Sequence, residues 1–122
     1  MPTQDQMKAA LQTYVDGFAN GDVDSVLALF AEDAVVEDPV GTPEKRGEEI
    51  AQFYRDAVAS GAKLILDGPI RGSHGAAAAM SFTIELAALG MKISAIDVFT
   101  FDEDGKVATM RAYWGPEDLV QP

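Results

Sequence analysis

Three oxygen-bearing side chains fall where the surrounding pattern calls for hydrocarbon, and their types suit proton transfer. Asp97 lies in Met91-Lys92-Ile93-Ser94-Ala95-Ile96-Asp97-Val98-Phe99-Thr100-Phe101. That run is β-branched, aromatic and free of Gly and Pro, so it reads as a strand. Alternation puts Met91, Ile93, Ala95, Asp97, Phe99 and Phe101 on one face. A lone carboxylate there would be costly, so the pattern predicts an acid that is protonated, paired or held by a ligand. A neutral acid can donate a hydrogen bond, which a catalytic site can use. Tyr14 recurs with Met7, Leu11, Val15 and Phe18 on the apolar face of a helical segment. A buried phenol needs a polar partner, a need that an ordinary core tyrosine meets with any carbonyl. Asp38 ends Val35-Val36-Glu37-Asp38 just before Pro39, where the chain is held extended. Glu37 and Asp38 point to opposite faces, and periodicity does not choose between them. Asp38-Pro39-Val40-Gly41 is equally a turn signature.

The elements that carry these groups follow from the pattern. Thr3 and Gln6 have capping-box spacing for the first helix, and Asn20-Gly21 ends it. Asp22 caps a second helix whose buried side carries Val26, Leu29 and Phe30. A third begins near Gly47, with Glu48 and Glu49 in its first turn. Its apolar face is Ile50, Phe53, Tyr54, Ala57 and Val58, and Ser60-Gly61 stops it. The rest reads as strands: Lys63–Leu66, Ala76–Ala88, Met91–Phe101 and Lys106–Trp114. In the second of these, Met80, Phe82, Ile84 and Leu86 share a face. A two-residue loop at Leu89-Gly90 would set Phe82 opposite Asp97. A four-residue turn at Asp102–Gly105 would set Met110 opposite Asp97, Ala112 opposite Ala95 and Trp114 opposite Ile93. Helices followed by a long antiparallel sheet imply a single α+β domain over residues 1–122, with helices packed on a bent sheet that leaves an apolar cavity open at one end.

Composition narrows the function. With 122 residues and a net charge of −11, the chain is suited neither to phosphate-rich nucleic acid nor to an anionic membrane surface. It suits a neutral, apolar ligand and a cytoplasmic location. No Cys is present, which removes disulfides and thiolate chemistry. The N-terminus lacks the regions of a signal peptide, and no apolar run reaches transmembrane length. His74, the one His, falls in a predicted loop. Asp102-Glu103-Asp104 reads as a solvated hairpin tip, and Lys45 and Arg46 as loop charges.

Taken together, Tyr14, the segment Ala31-Glu32-Asp33-Ala34-Val35-Val36-Glu37-Asp38-Pro39-Val40-Gly41, Gln52-Phe53-Tyr54-Arg55, Ile96-Asp97-Val98 and Thr109-Met110-Arg111-Ala112-Tyr113-Trp114 resemble the Δ5-3-ketosteroid isomerases of the NTF2-like superfamily. The resemblance runs nearly end to end. It implies an NTF2-like cone, a steroid substrate, no cofactor and a homodimer joined through the outer sheet face, where alternation places Val107 and Tyr113. It implies Asp38 as general base, Tyr14 and a protonated Asp97 as donors to the substrate oxyanion, and Tyr54 as support for Tyr14. Phe53, Met80, Phe82, Met110 and Trp114 would line the steroid slot. Phe30 stands where some members carry Tyr, so the hydroxyl chain behind Tyr14 should be shorter here. Two other readings stay open on the same frame. One is a different enzyme, of the polyketide cyclase or epoxide hydrolase kind. The other is a steroid or lipid carrier without catalysis.

Overall fold

Thr3 opens α1 (Gln4–Asn20). Its hydroxyl accepts from the Gln6 N–H at 3.1 Å, and Gln6 Oε1 accepts from the Thr3 N–H at 2.8 Å. This is the reciprocal cap that the spacing predicts. Gly21 closes the helix at φ 65°, a left-handed turn that a side chain would strain. Asp22 caps α2 (Val23–Leu27) through the Ser25 N–H. That helix is shorter than expected. Phe30 is not on its buried side but opens β1 (Phe30–Glu37). Its ring still packs on Tyr54, with centroids 5.3 Å apart, so burial of Phe30 does not by itself fix the backbone state.

The computed structural model describes residues 1–122. After β1 come β2 (Lys45–Arg46), α3 (Glu48–Ala59), β3 (Lys63–Leu66), β4 (Arg71–Gly72), β5 (Ala77–Leu86), β6 (Met91–Phe101), β7 (Val107–Tyr113) and β8 (Leu119–Val120). The strands form one sheet in the order β2-β1-β7-β6-β5-β3, with β4 on β5 and β8 on β6. The sheet is mixed. β1 and β7 run parallel, and the other pairs are antiparallel. The Ala-rich start of β5 is strand, as the alternation from Met80 onward demands.

Both long hairpins differ from the expected register by two residues. Ala87–Leu89 forms a 3-10 turn capped by Gly90, so the β5–β6 connection is longer than a two-residue loop. Met80, not Phe82, stands opposite Asp97, and Phe82 faces Ala95. Between β6 and β7 an irregularity follows Phe101↔Val107. Asp97 therefore meets Ala112, and Met110 meets Phe99. A two-residue shift preserves face parity, so the inward residues remain inward. The irregularity has a second effect: an extra residue turns the start of β7 over. Val107, expected on the outer face, is buried in the core, whereas Tyr113 is exposed.

One cluster of 20 buried side chains joins the helices to the inner sheet face. Met7, Leu11, Tyr14 and Phe18 come from α1, and Ile50 and Tyr54 from α3. Met80, Phe82, Ala95, Phe99, Met110 and Ala112 face them from the sheet. Asp97 is the one charged residue type buried with them.

Candidate active site

Asp97 is central in the longest strand, with β5 on one side and β7 on the other. It is 2% exposed. Its Oδ1 is buried and has no hydrogen-bond partner. Burial pushes the carboxyl well above the usual carboxylate range, and the nearby Asp38 charge adds to this. Such surroundings favour the protonated acid.

Tyr14 and Tyr54 meet across the core. The Tyr14 hydroxyl donates to the Tyr54 hydroxyl at 3.0 Å, and their rings pack edge to face with centroids 5.6 Å apart. Tyr14 also lies 5.0 Å from Phe99, centroid to centroid. Burial raises both phenols well above their ordinary value; Tyr54 adds to the rise at Tyr14, the bond from Tyr14 offsets part of it at Tyr54, and the nearby acids raise both. Both therefore remain neutral donors. Phe30, with no hydroxyl, ends the chain at two members.

Asp38 follows the last residue of β1, at a cis bond to Pro39. The structure resolves the face that periodicity leaves open. Glu37 is turned outward, where its Oε1 accepts from Arg111 Nε at 3.0 Å. Asp38 lines the interior and is only partly buried. Trp114 Nε1 donates to Asp38 Oδ1 at 2.9 Å. Burial raises the Asp38 carboxyl, while the Trp114 hydrogen bond and the charge of Lys45 pull it down.

These groups share one cavity of about 210 Å³. Tyr14, Tyr54, Asp97, Asp38, Phe53, Phe82 and Trp114 all line it, and 14 of its 17 lining residues are apolar. Ala95 and Ala112, small residues beside Asp97, leave the floor open. Phe18, Ala57 and Ser60 complete the helix side, Ala62 follows α3, and Leu64, Ile84, Leu86 and Ile93 extend the sheet side. Two expected wall residues are elsewhere. Met80 and Met110 are fully buried in the core and do not line the cavity. The bulged register moves Met110 one step deeper, opposite Phe99.

The Trp114–Asp38 bond is not visible in spacing alone, because it crosses from the end of β7 to the end of β1, whose parallel pairing no hairpin announces. Lys45 is likewise more than a loop charge. It pairs with Val36 in the short β2–β1 ladder, and its Nζ stands 4.8 Å from the centroid of the Phe53 ring. His74 is exposed in a loop, outside the cavity. No group of His, Cys, Asp or Glu is arranged to hold a metal ion, and no helix is long and apolar enough to cross a membrane.

Residues 11–110 match the SnoaL-like domain. The chain belongs to the SnoaL-like family. A protein of Nocardioides simplex described as steroid Delta-isomerase is 38% identical to this SnoaL-like chain over 117 residues, 94% of each sequence. Among solved structures, the epoxide hydrolase/cyclase-like enzyme SalBIII, described in pyran ring formation in the polyether salinomycin, matches with a TM-score of 0.87. It is 27% identical, with 97% of each chain covered. The expected architecture, an NTF2-like α+β cone with helices on a curved sheet, is the one observed.

Proposed function

We propose that the protein is a steroid Δ5-isomerase that converts 3-oxo-Δ5-steroids to their conjugated 3-oxo-Δ4 isomers. One observation carries the reading. A buried carboxyl with an unpartnered oxygen shares an apolar cavity with a tyrosine pair and with a second, less buried carboxyl. The 38% identity to a described steroid Delta-isomerase supports it.

In this reading Asp38, ionised, removes a proton from the carbon between the ketone and the double bond. The electrons move onto the ketone oxygen, giving a dienolate. Tyr14 and protonated Asp97 donate hydrogen bonds to that oxygen. Tyr54 then donates to Tyr14, the hydroxyl hydrogens being free to rotate. Asp38 finally returns the proton two carbons along. The double bond shifts with no net change in electrons or atoms, so the reaction needs no redox cofactor. A positioned base contributes about 10²–10⁴-fold, and each preorganised donor about 10²–10³-fold. The aromatic and aliphatic walls suit a flat hydrocarbon frame. We place a second copy of the chain on the outer sheet face, where Ile65, Ile96 and Tyr113 are exposed.

The test is the rise in ultraviolet absorbance as a 3-oxo-Δ5-steroid becomes its conjugated isomer. Wild type should turn over, and Asp38→Asn should lose at least about a hundredfold. Tight steroid binding without conversion would instead indicate a carrier. A second enzymatic reading draws on the likeness to SalBIII. It expects no enone signal and turnover of an epoxide-bearing substrate.

A further inference from the structure

Asp38 has a difficult task for a carboxylate. It must be ionised to accept a proton, yet it borders a cavity with mostly apolar walls. Its own surroundings supply few charges of the right sign. From α1 and α3 it is faced by Tyr14 and Tyr54, and from β6 by Asp97, whose effect on one another through space is repulsive to negative charge. On β1 the adjoining Glu37 points to the other face, and it holds the nearest cation of β7, Arg111. Past the end of β7, Trp114 gives a hydrogen bond but no charge.

The remaining element is β2. Val36 pairs directly with Lys45, and direct partners in an antiparallel pair project to the same face. Asp38 is two residues beyond Val36, so the register aims Lys45 to the Asp38 side. Arg46, paired with Val35, goes the other way, and its guanidinium binds Glu44 at 3.1 Å. The Lys45 ammonium rests 4.8 Å from the Phe53 ring centroid, and Phe53 is a wall of the cavity. Lys45 takes part in none of the four salt bridges. Lys45 is thus an ammonium with no carboxylate in salt-bridge range that rests against a residue of the cavity wall. Its charge is the one cationic influence on Asp38, and it lowers the affinity of that carboxyl for protons.

We infer that Lys45 is a positioning residue for the base, an ammonium braced on Phe53 that keeps Asp38 ionised beside an apolar substrate. The inference rests on Asp38 being the base, but its electrostatic content can be read without turnover. Lys45→Met retains the stem over Phe53 and removes the charge. Lys45→Arg retains the charge, and Lys45→Gln serves if Met disturbs the fold. The side-chain carboxyl of Asp38 is followed by carbon-13 NMR across a pH titration of the full chain, without steroid. The Asp38 midpoint should move up in Lys45→Met and Lys45→Gln and stay close to wild type in Lys45→Arg. In parallel, kcat/KM for the steroid should fall roughly threefold or more on the acid side of its profile in the uncharged variants and recover at high pH, because that limb reports the free base. An unchanged Asp38 midpoint in the uncharged variants overturns the inference, as does an equal rate loss at every pH. A shifted midpoint in a protein that turns over no steroid supports the role of Lys45 and overturns the isomerase reading instead.

Discussion

Asp38 and Asp97 are the same residue type in differently solvated settings, Asp38 partly buried and Asp97 fully buried. Asp97 is enclosed, and burial favours its protonated form. Burial raises Asp38 too, but an indole donor and the Lys45 charge pull its carboxyl back down. This difference has a consequence for stability. The folded-state pKa of Asp97 is raised above the ordinary 3.8. Between the unfolded and folded values, the native state binds a proton that the unfolded chain has released. Stability therefore falls as pH rises through that window. Asp97→Asn removes this titration, so urea midpoints of wild type should decline relative to the variant as pH rises above about 4. Parallel curves would show that Asp97 is not neutral in the fold. Asp97→Asn also keeps an N–H donor in the cavity, whereas Asp97→Leu should cost about a hundred- to thousandfold in turnover.

At the scale of elements, α1 carries Tyr14, and its approach to α2 depends on Gly17. A Cβ there would meet Val26 Cγ2 at 2.5 Å and the Asp22 carbonyl oxygen at 3.1 Å. Ala is the better helix former by about 1 kcal/mol, but the backbone contact cannot yield easily. Gly17→Ala should therefore destabilise by roughly 1–3 kcal/mol as an overpacked site, visible in the denaturant midpoint. A gain in stability would mean that α2 moves freely. The elements themselves were largely legible. Caps at Thr3 and Asp22, the stops at Gly21 and Ser60-Gly61, and the run Met91–Phe101 are local signals and appear in the fold. Register was legible only in parity. Alternation constrains which face Asp97 and Phe82 take, while the 3-10 turn at Ala87–Leu89 and the irregularity beside Val107 decide which residues meet. The parallel β1–β7 pairing depends on packing across the whole sheet, so the Trp114–Asp38 contact had no local signal. The same holds for the two-residue strand that positions Lys45. The residue types of the candidate site could be read from the chain, but its wall could not be read in full: Met80 and Met110 have the right parity and the wrong depth.

For the molecule as a whole, the outer sheet face carries exposed apolar side chains. Ile96 and Tyr113 are direct cross-strand partners, exposed by 47% and 48%, and Ile65 on β3 is exposed by 47%. With Glu37 and Arg111 paired beside them, the face offers apolar centre and neutralised charge, the composition of a contact between like copies. Light scattering at micromolar concentration should give twice the monomer mass. Tyr113→Glu combined with Ile96→Lys should give the monomer, with steroid turnover then showing whether the cavity depends on the contact. A wild-type monomer would leave this face as plain surface.

The proposed donors and the proposed base also differ in how they are anchored. Tyr14, Tyr54 and Asp97 belong to the interiors of α1, α3 and β6, whereas Asp38 follows the end of β1 and Trp114 the end of β7. A substitution among the first three must be accommodated by a close-packed interior. One at the second pair meets strand ends and a loop, where change is better tolerated. The cone thus divides into a close-packed half, proposed to hold an electron-rich oxygen still, and an adaptable half, proposed to set where a proton is taken. On the proposed roles, variation confined to the rim redirects the chemistry while the oxygen-holding end stays intact.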